Sequence, residues 1–195
     1  MSGASRGIVK KTLKKILKTN NFANILEIGT ASGITTKKIL SLLENRGRLY
    51  CCDPFIDYSD KQNRNHEDVY HKFLNNIKDV SSEENFYFKR DKSENFLDEL
   101  CSLGLKKTFD LIFIDGDHST DAVISDFKYA DLLIKDGGII IFDDYHWIAR
   151  HRRKIANIKP PVKVAVEKIL TKSKDYDVLK KISTHDSFVI QKRRT

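Results

Sequence analysis

Acidic side chains, glycines and one histidine are concentrated at four points of the sequence, each directly after a short apolar run. Carboxylates that converge on one cleft repel each other unless a cation lies among them, and oxygen donors suit Mg²⁺ or Ca²⁺ rather than zinc. A neutral imidazole beside such a cation can accept a proton from a hydroxyl group. The residue types therefore indicate a site that binds a cation and moves a proton. The four segments are residues 27–33, Asp53, Asp115-Gly116-Asp117-His118 and Asp143-Asp144.

The glycine-containing segment differs from a loop that binds pyrophosphate. Its pattern is Glu-x-Gly-x-x-x-Gly, with Glu27, Gly29 and Gly33, and it lacks the tight turn of the Gly-x-Gly-x-x-Gly loop. The acidic Glu27 favours a cationic ligand instead. Asp53 follows the next apolar run and is positioned by sequence to accept two hydrogen bonds from a ribose diol.

Hydrophobic periodicity places these segments at the ends of strands. Strands are expected at residues 25–28, 48–52, 86–88, 109–114 and 139–142, with helices between them, and a last pair near 176–182 and 187–191. The helix after the fourth strand is expected to reach Ile134 and to end at Asp136-Gly137-Gly138. This alternation predicts an α/β fold, a doubly wound, Rossmann-like, mostly parallel seven-stranded sheet. Its last strand should be antiparallel, because residues 183–186 are too few for a crossover.

Length and composition fit one globular domain. The chain has 195 residues, 40% of them hydrophobic and 32% charged, which is too apolar for a disordered protein. We expect a basic amphipathic helix over residues 1–20 and a single domain over 21–195. Apolar runs fall far short of the roughly 20 residues that cross a bilayer, no secretory signal is recognisable, and the three cysteines form no disulfide framework. A cytoplasmic protein without a membrane partner is therefore expected.

The net charge of +8 is unevenly distributed along the chain. Residues 1–20 hold six basic residues and no acid, and residues 146–195 hold fourteen basic residues and four acids. The intervening segment has fifteen basic and twenty-three acidic residues. A nucleic-acid-binding protein would carry its positive charge on the functional face, whereas the candidate site lies in the acidic middle.

The sequence resembles class I S-adenosylmethionine-dependent methyltransferases. More narrowly, it resembles the metal-dependent O-methyltransferase branch that includes catechol and antibiotic-sugar O-methyltransferases. The resemblance extends from about residue 25 to residue 190 and is carried by residues 26–33, Asp53-Pro54, 109–118 and 137–145. One departure is the Asp143-Asp144 pair, where relatives often have Asp-Asn or Glu-Asp.

This resemblance implies S-adenosylmethionine and Mg²⁺ as cofactors and assigns a role to each segment. Glu27, Gly29 and the loop Thr30-Ala31-Ser32-Gly33 would hold the methionine part of the cofactor, with Thr35 near its carboxylate. Asp53 would bind the ribose, Asp91-Lys92-Ser93 would border the adenine, and Asp115 would also face the cofactor. Asp115, Asp143 and Asp144 would hold the metal ion, and His118 would be the general base.

Other interpretations of the same residues stay open. The aspartates after the fourth and fifth strands could cap helices, and His118 could simply precede a helix that Ser119 caps. His146 and Trp147 are candidates for lining the acceptor pocket, whereas the other histidines, at 66, 71, 151 and 185, are expected at the surface. The basic run 150–154 is either solvated or contacts a phosphate- or carboxylate-bearing acceptor.

Three functions for the whole chain follow. The first is an O-methyltransferase acting on a small hydroxylated acceptor, such as a sugar or nucleotide sugar. The second is an RNA or DNA methyltransferase, which the basic ends favour but the absence of an Asn/Asp-Pro-Pro-Tyr motif opposes. The third is a non-catalytic cofactor-binding protein of the same fold. A homodimer formed through the first helix and the last hairpin is a further expectation.

Overall fold

The computed structural model describes residues 3–56, 65–148, 157–184 and 186–194. Within these ranges helices and strands alternate, as the periodicity predicts. None of the helices in them is long and apolar enough to span a bilayer. In chain order the elements are α1 (Gly3–Thr19), β1 (Ala23–Ile28), α2 (Ile34–Leu43), β2 (Gly47–Cys52), α3 (His66–Ile77), β3 (Phe86–Lys89), α4 (Ser93–Ser102), β4 (Phe109–Ile114), α5 (Thr120–Leu133), β5 (Ile134–Phe142), α6 (Pro161–Lys172), β6 (Tyr176–Val178) and β7 (Phe188–Lys192).

The strands form one seven-stranded sheet with the order β3-β2-β1-β4-β5-β7-β6. The pairs from β3 to β5 are parallel, and β7 runs antiparallel to both of its neighbours. The predicted doubly wound sheet with an antiparallel last strand is therefore confirmed. The chain proceeds outward from β1 on one side and from β4 on the other, so the crevice for a ligand is expected where β1 and β4 end.

Helices cover both faces of the sheet. On one face α1, α2 and α3 bury residues such as Leu13, Ile39 and Phe73. On the other face α4, α5 and α6 bury residues such as Leu97 and Val166. All six residues of β4 are buried, because a central parallel strand is covered on both sides. The closely packed sheet therefore holds the ends of its strands in fixed positions.

Helix α1 is amphipathic, as its sequence predicts. Val9, Leu13 and Leu17 are buried in the same core as the sheet, and its lysines are exposed. The apolar side of the helix is thus covered by the chain itself, and the homodimer stays a prediction.

The structure corrects one predicted boundary. Helix α5 ends at Leu133, and Ile134 already pairs with Phe109 as the first residue of β5. The pairing register then shifts between Phe109 and Leu111, so the glycine pair lies within an irregular strand and does not cap the helix. Gly137 has a φ of +78°, which an L side chain rarely adopts.

A second correction concerns β6, which ends at Val178 where periodicity predicts a strand to residue 182. The amides of Ile182 and Ser183 both donate to the carbonyl of Leu179. The chain therefore turns directly after the strand. The alternation of apolar and polar residues continues beyond Val178, so periodicity alone does not reveal that the strand ends there.

Candidate active site

A cavity of about 700 Å³ opens at the carboxyl ends of the strands. Its wall includes residues from the segment that follows each of the five parallel strands, together with residues of α3 and α5. This is the position that a doubly wound sheet predicts for a ligand. Among the lining residues are Gly29 after β1, Asp53 after β2, Ser93 after β3, Asp115 after β4 and Asp144 after β5.

Gly29 allows the ends of β1 and β4 to approach each other. Its φ is +85°, and a Cβ atom there would lie 2.3 Å from the carbonyl oxygen of Asp115. The Asp115 amide donates to the carbonyl of Ile28 at 2.8 Å. Any side chain at residue 29 would push the two strand ends apart, so glycine is required for the geometry of this wall.

Asp53 lines the cavity and also holds the glycine loop in place. Its Oδ2 accepts hydrogen bonds from the amides of Thr30 at 3.0 Å and Ala31 at 2.9 Å. Its Oδ1 accepts one from the amide of Phe55 at 2.9 Å. A carboxylate offers about four acceptor positions, so one is left after these three bonds. The ribose contact stays a prediction, and it would have to share this carboxylate with the loop.

Glu27 lies beneath the loop and does not reach the cavity wall. It is fully buried, and neither carboxyl oxygen makes a hydrogen bond of ordinary geometry to the described residues. Burial raises the pKa of Glu27 well above its usual value, the nearby Thr36 hydroxyl offsets this only in part, and the charges of Asp115 and Asp53 add to it. The carboxyl could act on a cationic ligand only from below the loop.

The rest of the loop is divided between core and cavity. Ala31 lines the cavity, with a φ of +43°. Thr30 and Thr35 are buried, and the carbonyl of Ser32 accepts a hydrogen bond from the side chain of Asn76 on α3. Of the residues predicted to hold the methionine part, Gly29 and Ala31 are therefore the ones on the wall.

Asp91 occupies a different place from the predicted one. Its Oδ1 accepts hydrogen bonds from the Lys92 amide at 2.7 Å and from Asn95 Nδ2 at 2.9 Å, and these two contacts hold its pKa below the usual value. The carboxylate therefore stabilises the first turn of α4 and is not part of the cavity wall. Lys92 and Ser93 do line the cavity.

Asp115, His118 and Asp144 form a cluster at the β4–β5 end of the cavity. The Nε2 atom of His118 lies 3.4 Å from Asp115 Oδ1 and 3.4 Å from Asp144 Oδ2. One potential ligand atom from each residue lies within 4.8 Å of the other two. The three side chains are only 12–26% exposed. The geometry suits a metal ion or a proton transfer.

Burial and the contact between His118 and Asp115 have the largest effects on the pKa values in this cluster. Burial raises the pKa of Asp115 to about 6, contact with His118 opposes the shift, and the charges of Asp143 and Asp144 add to it. Burial lowers the pKa of His118, but contact with Asp115 and the charges of all three aspartates outweigh it, so the pKa is raised. The imidazole therefore lies in a strongly negative field.

Asp143 lies behind the cluster and does not join it. It is 1% exposed, and its Oδ1 accepts a hydrogen bond from the Ser187 hydroxyl at 3.0 Å. Asp144 has a φ of +51° just beyond the end of β5, and its side chain joins the cluster whereas that of Asp143 does not. Of the three predicted metal ligands, the structure brings Asp115 and Asp144 together, with His118 as the third donor.

Aromatic and histidine residues complete this end of the cavity. Trp147 lines the cavity, and the centre of its ring lies 5.4 Å from that of His118. His146, also predicted to line the pocket, is not among the lining residues and packs edge-on against Tyr145. His71 is exposed beside Glu67, as expected, but His66 lies on the cavity wall rather than on the open surface. The basic run 150–154, which contains His151, and also His185 lie outside the described residues.

Asp126 is a lining residue that the sequence analysis did not identify. It is 3% exposed, and it lies on the buried side of α5 together with Val123, Phe127 and Ala130. The signal was present in the sequence, since an aspartate at an apolar position of a helical repeat needs a partner or a ligand.

Comparison with known proteins agrees with this geometry. A family model described as "Methyltransferase domain" matches residues 26–145. An uncharacterized protein of Acanthamoeba polyphaga mimivirus is 46% identical over 41 residues, a stretch that spans 21% of this chain and 19% of the viral protein.

Solved structures share the whole fold. The O-methyltransferase from Bacillus cereus in complex with S-adenosylhomocysteine has a TM-score of 0.67 and 20% identity, over 100% of this chain and 82% of that one. TomG from Streptomyces achromogenes, an O-methyltransferase in complex with S-adenosylmethionine, has a TM-score of 0.67 and 17% identity, over 100% of this chain and 82% of that one. A protein from Clostridium thermocellum provisionally described as an rRNA methylase has a TM-score of 0.61 and 14% identity, over 96% and 97% of the two chains.

At these identities the solved structures show a common fold and nothing about the acceptor. The family match is stronger evidence, because it covers more than half of the chain and includes the glycine loop, Asp53, Asp115 and His118. The resemblance found in the sequence is thereby confirmed at the level of the family. The chain belongs to this methyltransferase family, and its domain is a class I, S-adenosylmethionine-dependent methyltransferase domain.

Proposed function

We propose that the protein transfers a methyl group from S-adenosylmethionine to a hydroxyl oxygen of a small acceptor. Asp115 and Asp144 would hold a divalent cation, and His118 would accept the proton of the hydroxyl. The observation that carries this proposal is the cluster of these three side chains at one end of the cavity.

The order of the strand ends supports one orientation of the methyl donor. Its methyl group has to face the cluster, which follows β4 and β5. Asp53 follows β2 and lies further along the wall, where it could meet the ribose. The adenine would then lie beyond it, near Lys92 and Ser93. The negative field around Asp115 favours the positively charged sulfonium at the cluster end.

The donor set of the cluster fits a divalent cation. The carboxylates of Asp115 and Asp144 converge from two separate segments and offer oxygen donors, the ligands that Mg²⁺ prefers, with water in the remaining positions, so that the imidazole nitrogen beside them stays free for the proton. Burial is the main cause of the raised pKa of Asp115 and the charges of Asp143 and Asp144 add to it, and a cation would stabilise the ionised carboxylate against both effects. A bound cation would make the acceptor hydroxyl more acidic.

His118 is positioned to receive the proton. Its Nε2 faces both carboxylates, and a positive charge held by Asp115 and Asp144 would oppose protonation of the imidazole. The acceptor oxygen then forms a bond to the methyl carbon while the carbon–sulfur bond breaks, and S-adenosylhomocysteine leaves as a neutral thioether. Since the donor is already activated, orientation and proton removal are the main tasks of the protein.

The acceptor is proposed to be a small hydroxylated molecule, such as a sugar or nucleotide sugar. Trp147 offers a flat apolar surface beside His118, of the kind on which a ring can pack. The basic run 150–154 follows Trp147 in the sequence and would supply positive charges if the acceptor bears a phosphate or carboxylate group.

Calorimetry with S-adenosylmethionine, with and without Mg²⁺, tests the two halves of the proposal separately. We expect Asp53→Ala to abolish binding of the methyl donor, because the glycine loop loses its anchor. Asp144→Ala should still bind the donor but lose the effect of Mg²⁺ on methyl transfer to hydroxylated acceptors. Asp121→Asn, an exposed change on α5, is the matched control.

Three outcomes would contradict the proposal. If Asp144→Ala transfers methyl groups at the wild-type rate without Mg²⁺, the divalent cation has no part in the reaction. Failure of the wild type to form S-adenosylhomocysteine with any hydroxylated acceptor and Mg²⁺ would favour a non-catalytic cofactor-binding protein. Salt-sensitive binding of oligonucleotides, together with their methylation, would favour a nucleic-acid methyltransferase.

A further inference from the structure

The helices on the two faces of the sheet carry opposite charges. Helices α1 and α2, on one face, contain eight basic residues and no acid. Helices α4 and α5, on the other face, contain six acidic residues and one lysine. None of the basic residues of α1 and α2 lines the cavity, so the proposed methyl transfer gives them no role.

The lysines of α1 form rows of like charge. Lys10, Lys14 and Lys18 follow each other at intervals of four residues, as do Lys11 and Lys15, so neighbours in a row lie about 6 Å apart. All five are exposed, and none of the ion pairs between described residues includes one of them. Like charges at this spacing weaken a helix. An anionic partner that lies along the rows would relieve the repulsion.

Two neighbouring segments extend this basic surface. Lys37 and Lys38 are exposed on α2, which packs against α1. Lys180 and Lys181 are exposed in the turn after β6, and the apolar residues of this turn pack against the same core as α1. Together these residues make up the lysine face, which consists of Lys10, Lys11, Lys14, Lys15, Lys18, Lys37, Lys38, Lys180 and Lys181.

The chemistry of the lysine face fits the phosphate backbone of a nucleic-acid duplex. Helix α1 has 17 residues and is therefore about 25 Å long, so its rows present charge along a line, as a linear polyanion requires. Neither α1 nor α2 contains an aromatic residue on which an unpaired base could stack. The face therefore favours a duplex over a single strand, and contacts to phosphate carry no sequence information.

A membrane surface fits the lysine face less well. Helices that bind in the membrane interface insert an apolar side among the lipid headgroups. The apolar side of α1, which includes Val9, Leu13 and Leu17, is buried in the protein core. The exposed side chains between residues 10 and 19 are the five lysines and Thr19. Helix α1 thus offers charge alone, which is the main requirement for binding a duplex backbone.

We propose that the lysine face binds the phosphate backbone of double-stranded nucleic acid without sequence preference. This contact is separate from the cavity, because the nine lysines are absent from its wall and α1 ends at Asn20, which contacts Asp110 at the opposite end of β4. The inference therefore does not depend on the methyl donor, the cation, the base or the acceptor of the proposed function.

Binding of short, fluorescently labelled DNA duplexes of two unrelated sequences, measured by anisotropy at several salt concentrations, tests the inference. The logarithm of the binding constant should fall linearly with the logarithm of salt concentration, with a slope of about −0.9 for each phosphate that a lysine contacts. The two sequences should bind with equal affinity, because the contacts are to the backbone.

Replacing Lys10, Lys14 and Lys18 together by glutamine gives the α1 triple variant. Its salt slope should be shallower by about 2–3, and its affinity at about 50 mM salt should be at least tenfold lower. Glutamine and lysine have similar helix propensities, and the change removes like-charge pairs, so the variant should fold as the wild type does. Circular dichroism checks this.

A second variant and a matched control locate the contact. Lys37→Gln combined with Lys38→Gln on α2 should make the slope shallower by about 1–2. The control replaces the same number of lysines as the α1 triple variant, but on α6, which covers the other face of the sheet: Lys163→Gln, Lys168→Gln and Lys172→Gln. It should keep the wild-type slope.

Four outcomes would overturn the inference. They are a wild type that does not bind the duplexes, a clear preference for one of the two sequences, an α1 triple variant that keeps the wild-type slope, and an equal loss in the α6 control. A wild type that binds phosphatidylserine vesicles but no duplex would assign the lysine face to a membrane instead. Failure to methylate a small hydroxylated acceptor, with duplex binding as expected, rejects only the proposed reaction.

Discussion

Strand β4 has a buried aspartate at each end, and the surroundings of the two are opposite. At the amino end, Asp110 is 4% exposed and contacts the Lys135 ammonium and the side-chain amide of Asn20, and it accepts a hydrogen bond from the Asn24 amide at 2.9 Å. Just beyond the carboxyl end, Asp115 lies among other carboxylates, and burial raises its pKa to about 6.

The difference separates a structural charge from a functional one. A buried carboxylate that the chain itself neutralises ties elements together, here α1 to the sheet through Asn20 and Asp110. Asp115 has no lysine or arginine partner among the described residues, and its neighbours are His118 and two further aspartates. The comparison predicts that changes at the carboxyl end affect catalysis and that changes at the amino end affect stability.

The largest effect is expected from His118→Ala. Loss of a general base lowers kcat by about 10²- to 10⁴-fold, while the affinity for S-adenosylhomocysteine should change little. Initial rates at saturating methyl donor and acceptor test this, with His71→Ala, an exposed histidine, as the control. A rate within threefold of the wild type would remove His118 from the mechanism.

Asp110→Ala should act on stability instead. The change leaves the Asn24 amide without its acceptor, which costs about 1–3 kcal/mol of unfolding free energy, whereas the partly exposed Lys135 ammonium is solvated when it loses its partner. Urea denaturation followed by circular dichroism measures the change. The control is Asp177→Ala, which breaks an exposed pair with Arg193 and should cost less than about 1 kcal/mol. Equal losses in the two variants would contradict the comparison.

A smaller, pH-dependent effect is expected at Glu27. Its pKa is raised in the folded protein, so the folded state keeps a proton that the unfolded state releases above about 4.5. The stability that this proton contributes is complete below that pH and is lost as the pH rises through the raised pKa. Glu27→Gln should therefore exceed the wild type in unfolding free energy at pH 8 by about 1–3 kcal/mol.

Urea denaturation of the ligand-free protein at pH 5 and pH 8 tests the Glu27 prediction. The difference between variant and wild type should grow with pH, because the other titrating groups are common to both proteins and cancel. An equal difference in unfolding free energy at the two pH values would show that the Glu27 carboxyl is solvated or paired. Glu27 would then resemble Asp110, whose charge the chain itself neutralises, rather than Asp115.

Much of the fold and part of the site could be predicted from residue order. The alternation of apolar runs predicts β4 at its observed bounds, and the glycine loop is predicted next to it as part of the site. Only the structure shows that Gly29 permits the close approach of the ends of β1 and β4. Asp91 illustrates the limit of such reasoning. A carboxylate that follows a strand can contact a ligand or stabilise the next helix, and its sequence position is the same in both cases. The structure shows that Asp91 has the second role, with Lys92 and Asn95 as its partners.

The sequence by itself determined the doubly wound sheet, the family and the five strand ends that surround the cavity, because these depend on local periodicity and on short motifs. The tertiary structure alone decided which carboxylates are neutralised. Asp110 meets Lys135 and Asn20 only after folding, Asp143 turns to Ser187, and Asp126 reaches the cavity from the buried side of a helix. Burial and the distance to a counter-charge govern the energy of a carboxylate, and both are set by contacts between residues far apart in the chain.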